Sequence, residues 1–158
     1  MRNVCIIGCG AISPVNIEAV NNCKSARLYG VCDIDKTKRD MANELGVRFF
    51  ASFDDVLNDK NVDSVHICTP HYLHFDMIKK ALRYGKSVVC EKPCVITKSE
   101  FEQLKRTDGI ENVCFVMQNR LNLSIIELKN LIENETLGKI MGIRAVLAWH
   151  RTKEYYNG

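Results

Sequence analysis

Along most of this chain, short runs of β-branched and apolar residues alternate with longer segments of helical period. A parallel strand cannot follow another by a tight turn, so the chain must cross over, and that alternation points to a doubly wound α/β sheet. Strands are expected over residues 4–7, 28–32, 48–51, 64–68, 87–90 and 112–117, with helices over 12–22 and 37–45 between the first three. Ser52 with Asp55, and Thr97 with Glu100, have the spacing of capping boxes that open further helices. Leu73, Met77, Ile78, Ala81 and Leu82 recur at helical spacing, and Gly85 stands where that helix should stop.

The pattern changes after residue 118. Ser124, Glu127, Leu128, Leu131 and Ile132 describe one more capped amphipathic helix, Gly138 breaks it, and 140–150 reads as a long strand with no hairpin partner in the chain. We therefore expect residues 1–118 to form one domain and 119–158 to begin a second, α+β domain that the chain does not complete. An open strand of that length invites pairing with a later segment or another subunit, which favours a homo-oligomer.

The totals exclude several classes. The 22 basic and 19 acidic residues leave a net charge of only +3 with no basic run, which argues against a nucleic-acid partner. No stretch reaches the roughly 20 apolar residues that span a bilayer, and the start leads straight into a strand, so a cytoplasmic protein without a membrane partner is expected. Of eight cysteines, Cys5, Cys32, Cys68, Cys90 and Cys114 fall in strand-like runs, where a reduced thiol packs as a small hydrophobe. No C-x-x-C pair supplies metal spacing, so no metal is expected.

Gly8-Cys9-Gly10-Ala11-Ile12-Ser13 follows the first strand and opens the first helix. There Gly8 permits a tight turn, Gly10 lets the backbone approach a pyrophosphate, and Ser13 replaces a third glycine while remaining small. A glycine-rich turn that merely connects strand to helix is the plainer reading. Asp33 ends the second strand at the distance where a carboxylate would bind a ribose diol and repel a 2′-phosphate, favouring NAD over NADP. Lys36 and Arg39 would offset that repulsion, and an Asx turn would equally explain Asp33.

Two further segments, Thr69-Pro70-His71-Tyr72-Leu73-His74 and Glu91-Lys92-Pro93, follow strands and so lie at the carboxyl edge where open α/β sheets bind ligands. Oxidising an alcohol releases a proton with the hydride, and Lys92 is the candidate to relay it. A solvated lysine paired with Glu91 is the alternative. Pro93 is expected after a cis bond. His71 and His74 are either acid–base groups or capping and packing residues, and His66 is assigned to the core.

Together, G-C-G-A-I-S, the Asp33 strand end, C-T-P-H-Y-L-H and G-K-S-V-V-C-E-K-P resemble the glucose-fructose oxidoreductase and inositol dehydrogenase family, Gfo/Idh/MocA, over essentially the whole chain. The resemblance implies a Rossmann domain that binds NAD through Gly8, Gly10, Ala11, Ile12 and Asp33. It implies a nicotinamide side lined by Thr69, Pro70, His74 and Glu91, and a catalytic or substrate-orienting Lys92. Gln118-Asn119-Arg120, Trp149-His150-Arg151 and Tyr155-Tyr156 look like members that oxidise nucleotide-linked amino-sugar acids, which implies that Arg120, Trp149 and Arg151 approach the cofactor. Two departures stand out: Asn16 occupies a place where members often carry histidine, and the Asp and His that complete proton transfer in the second domain fall beyond residue 158. The implied activity is hydride transfer between NAD and a sugar or nucleotide-sugar hydroxyl, with this fragment alone inactive. The alternatives are a non-catalytic NAD-sensing module and, less consistent with E-K-P, a Rossmann-like methyltransferase.

Overall fold

A computed structural model describes residues 1–153, which divide between Met117 and Gln118 into two compact units. In the first unit, strands β1 (Arg2–Ile7), β2 (Ala26–Cys32), β3 (Arg48–Phe50), β4 (Ser64–Ile67), β5 (Ser87–Cys90) and β6 (Val113–Phe115) form one sheet. All pairings are parallel and the order is β3-β2-β1-β4-β5-β6. The helices are α1 (Ser13–Asn21), α2 (Arg39–Glu44), α3 (Phe53–Asn58), α4 (His74–Arg83) and α5 (Lys98–Leu104). This is the doubly wound arrangement whose chain direction reverses between β1 and β4.

Alternation along the strands builds two cores. Cys5 and Ile7 of β1 join Val65 and Ile67 of β4 and Val88 and Cys90 of β5 on one face, covered by Val56 of α3, Ile78 and Ala81 of α4 and Leu104 of α5. Val4 and Ile6 point the other way, against Ile17 and Val20 of α1 and Ala42 of α2. Each buried aliphatic side chain contributes about 1.5–3 kcal/mol, so the sheet is fixed from both sides.

The helix ends follow local chemistry. Thr97 and Glu100 form a reciprocal capping box, and the Ser52 hydroxyl accepts the Asp55 amide. At the end of α4, the Gly85 amide donates to the Leu82 carbonyl and the Lys86 amide to the Ala81 carbonyl, the paired bonds of a Schellman stop. The helix expected over 37–45 is wound tighter in its first turn, a 3₁₀ segment at Lys36–Lys38, because Asp35 caps it by accepting the Thr37 amide.

The second unit departs further from expectation. Its helix α6 (Leu123–Glu133) starts from Asn122 with no side-chain cap, so Ser124 lies inside the first turn rather than capping it. Residues 140–150 make no strand, since a strand exists only through its ladder and none of the described residues pairs with it. No residue of α6 is buried. Cys114, expected to pack inward, is exposed on the edge strand β6.

His66 stands between Val65 and Ile67 on β4 and so faces the α1 side of the sheet. Its Nδ1 is buried with no hydrogen-bond partner among the described residues, and burial pulls its pKa down from 6.5 to about 4. The unfolded chain therefore takes up this proton first as the pH falls. The stability contributed by neutral His66 is complete above about pH 6.5 and is lost toward pH 4, by at most about 3 kcal/mol. Urea unfolding across that window should show His66→Val losing less stability than the wild type; parallel loss in both proteins would rule the effect out.

Candidate functional site

The turn after β1 is shaped by contact with the exit of β4. Gly8 has φ +91°, and a Cβ there would sit 2.9 Å from the Cys68 carbonyl oxygen and 3.0 Å from the Thr69 nitrogen. No side chain fits such a position, where both the backbone angle and the neighbouring backbone exclude it. Gly10 differs: a Cβ would meet nothing within 4 Å, so its hydrogen faces open space. Ser13 is fully buried and its hydroxyl donates to the Gly10 carbonyl at 2.8 Å, so this small residue holds the turn as well as packing beneath α1.

Asp33 fastens the turn from the other side. One carboxylate oxygen accepts the Cys9 amide at 2.7 Å and the other accepts the Asp35 amide at 2.8 Å. The Asx turn is therefore real, and the same carboxylate also tethers the glycine turn. A carboxylate offers about four lone-pair sites, so it retains capacity for a diol. The amides of Gly10, Ala11 and Ile12 have no acceptor among the described residues. They lie at the N-terminus of α1, where partial positive charge adds to their pull on an anion.

Between this turn and the loop after β4 lies a cleft of about 360 Å³, lined in part by Gly8, Gly10, Asp33, Thr69 and Pro70. Ile34, Phe53, Tyr72, Leu73 and Met77 supply its apolar surface. Phe53 and Met77 pack against the core with one side and border the cleft with the other; the sequence marks Met77 only by its helical spacing. Three larger hollows, of about 520, 560 and 680 Å³, are lined by none of residues 8–13, 69–74 or 91–93. The thiols near the turn remain protonated: burial, with the Asp33 carboxylate adding, pushes Cys9 up to about 11. Cys68 is raised to about 12, again mainly by burial, with Glu91 adding. Thiolate chemistry is thus disfavoured here.

At the carboxyl end of β5, Lys92 is exposed and makes no hydrogen bond or ion pair among the described residues. Glu91 does not pair with it. Its Oε1 instead accepts from Asn16 Nδ2 at 3.0 Å. The Lys92–Pro93 bond is cis. His74 is fully buried rather than open to the cleft, with Nδ1 2.7 Å from the Pro93 carbonyl oxygen and Nε2 2.9 Å from that of Thr69. His71 is exposed and meets the His74 ring edge-on at 5.7 Å.

Arg120 belongs to the second unit and is exposed, and Arg151 lies 4.0 Å over the Trp149 ring in that same unit. Tyr155 and Tyr156 lie outside the described residues. Among the described residues, no three His, Cys, Asp or Glu side chains gather as metal ligands, and no helix is long and apolar enough to cross a membrane.

Comparison with known proteins places this geometry. Residues 2–118 match the model of an oxidoreductase family with an NAD-binding Rossmann fold, Gfo/Idh/MocA. Glucose-6-phosphate 3-dehydrogenase of Bacillus subtilis is 31% identical over 147 residues, 91% of this chain and 41% of that protein. Myo-inositol 2-dehydrogenase of Thermotoga maritima is 28% identical over 138 residues, 85% and 41% respectively. The structure of the WlbA dehydrogenase of Bordetella pertussis with NADH and UDP-GlcNAcA superposes with a TM-score of 0.86 at 28% identity, covering 99% of this chain and 50% of that one. The chain therefore spans half or less of the length of these relatives.

The two glycines predict opposite outcomes. Gly8→Ala should cost about 2 kcal/mol or more of unfolding free energy, through strain and backbone contact. Gly10→Ala should change it by less than about 0.5 kcal/mol. Equal losses in denaturant unfolding would contradict this reading of the turn.

Proposed function

Because the chain belongs to the Gfo/Idh/MocA oxidoreductase family through its NAD-binding Rossmann domain, we propose that it is the cofactor half of an NAD-dependent dehydrogenase acting on a hydroxyl of a sugar or nucleotide-sugar. The observation that carries this reading is the conjunction, on one sheet edge, of three unpaired turn amides, the tethered Asp33 carboxylate and an exposed, unpaired Lys92.

The fit to the dinucleotide rests on the open space at Gly10 and on the adjoining cleft. Gly8 sets the turn; Gly10, Ala11 and Ile12 present backbone donors to the pyrophosphate, and Asp33 accepts from the ribose hydroxyls. Thr69 and Pro70 border the cleft, His74 lies behind Thr69, and Glu91 directly precedes Lys92. Bound NAD supplies the hydride acceptor. Lys92 orients the substrate hydroxyl and relays its proton.

Residues 119–158 open the second domain, which brings the remaining acid–base groups and the substrate pocket. The division of the chain at Met117 and the greater length of its relatives support that assignment. A cytoplasmic homo-oligomer accords with the protonated buried thiols and with the strand-like but unpaired sequence over 140–150.

Calorimetric titration of the 158-residue chain should detect NADH binding, with NADPH weaker. Silence at millimolar cofactor would overturn the proposal. Gly10→Ala should weaken NADH binding about tenfold, a loss on the scale of a single hydrogen bond to a charged group. In the full gene product, Lys92→Ala should keep the NADH affinity within about twofold and lower turnover about 100-fold or more. A non-catalytic sensor would show no turnover to lose.

A further inference from the structure

Two buried polar side chains have no place in the chemistry proposed so far, and both converge on the loop that carries Lys92. Asn16 is 7% exposed on the inner side of α1, beside Ile17 and near Val20. His74 is 0% exposed at the first turn of α4. The two helices cover opposite faces of the sheet. An amide or imidazole taken out of water costs on the order of 1–3 kcal/mol unless it regains hydrogen bonds, so each must be held by a definite partner.

Those partners flank Lys92. Asn16 Nδ2 donates to Glu91 Oε1 at 3.0 Å, and it sits 3.4 Å from the Ile12 carbonyl. The Glu91 backbone is fixed independently, its amide donating to the Ile67 carbonyl at 3.0 Å. On the other side of the lysine, the Pro93 carbonyl faces His74 Nδ1 at 2.7 Å, while Nε2 faces the Thr69 carbonyl at 2.9 Å. A neutral imidazole donates to only one of these carbonyls, and the doubly protonated ring donates to both. In either form the ring is wedged between the loop after β4 and the loop after β5.

We propose that Asn16 and His74 are positioning residues for Lys92, clamping residues 91 and 93 so that the exposed amine between them swings from a fixed root. The proposal deepens the dehydrogenase reading, because it matters to catalysis only if Lys92 acts there. A long, flexible side chain loses least on reaching its working geometry when its backbone is already held. The clamps also connect to the cleft: Asn16 rises from the helix that follows Gly10, which lines it, and His74 Nε2 faces the carbonyl of Thr69, which borders it. The lysine loop is thereby tied to both ends of the dinucleotide cleft without either residue touching a ligand.

The test is amide hydrogen exchange over residues 91–95, read at Glu91, Lys92, Cys94 and Val95 of the 158-residue chain, which needs no turnover and no cofactor. Asn16→Ala places a good helix former inside α1 and should speed exchange in this segment about tenfold while leaving β1 and β4 unchanged. Asn16→His, which restores an N–H donor, should recover part of the protection. His74→Gln should act in the same direction. If His74→Gln fails to fold, Asn16→Ala and its rescue decide the question. In the full gene product, the Asn16→Ala enzyme should lose turnover about tenfold with an unchanged KM for NAD. Exchange over 91–95 within twofold of wild type in Asn16→Ala, or acceleration spread evenly over the whole sheet, would overturn the clamp. Failure of the wild-type chain to bind NADH would instead remove the dehydrogenase reading and leave the exchange result standing.

Discussion

The site depends on how closely the turn after β1 approaches the backbone leaving β4. A Cβ at Gly8 would lie 2.9 Å from the Cys68 carbonyl oxygen, so only glycine lets the two backbones come this close, and that approach brings the glycine turn and the Thr69-Pro70 loop to the two sides of one cleft. β1 and β4 are neighbours because the sheet reverses its winding between them, so their exits diverge and leave a crevice. The position of the cleft is thus a consequence of strand order. Its width is a consequence of the missing Cβ.

Around that approach, polar groups act as fasteners between apolar layers. Asp33 binds the Cys9 amide across β2 and β1, Ser13 binds the Gly10 carbonyl, Asn16 reaches Glu91, and the His74 ring is set between two carbonyls. Each of these groups would be a net cost if left unpaired in the interior, so each fixes one relative placement of two segments. Such bonds contribute modestly to net stability, yet they restrict the edge of the sheet to one geometry, which a site that must align distant groups requires.

Much of this was legible in the sequence because it rests on backbone demands. The six strands, the Gly85 stop and the Thr97–Glu100 box follow from period and local hydrogen bonding, which act over a few residues. Gly8 and Asp33 could be located because their roles fix residue type at set distances from strand ends. The Asn16–Glu91 bond spans 75 residues and involves a residue notable beforehand only as a departure from the family pattern, so no local signal revealed it. For His74 the residues leave an acid–base or a packing role open and the resemblance implies the nicotinamide side; the ring packs inward against carbonyls that only the folded loops bring together. The strand expected over 140–150 failed for a related reason: alternating sequence specifies a face, but a ladder needs a second strand, and the described residues provide none.

The choice between NAD and NADP turns on electrostatics at the end of β2. Asp33 keeps both oxygens on backbone amides, which fixes the carboxylate in place beside the cleft. A phosphate charge on the ribose 2′ oxygen, at about 5 Å and an effective dielectric of about 20, would meet a repulsion of about 3 kcal/mol for each unit of charge. Reversing that preference requires a cation aimed at the same spot. Arg39 is committed elsewhere, its guanidinium stacked 4.9 Å over the Phe49 ring. Lys36 is exposed, and an ammonium held loosely in water recovers little of the cost. If Asp33 meets the ribose as proposed, Lys36 and Arg39 recover little of that cost, and a preference for NAD rests on where Arg39 packs as well as on the charge of Asp33.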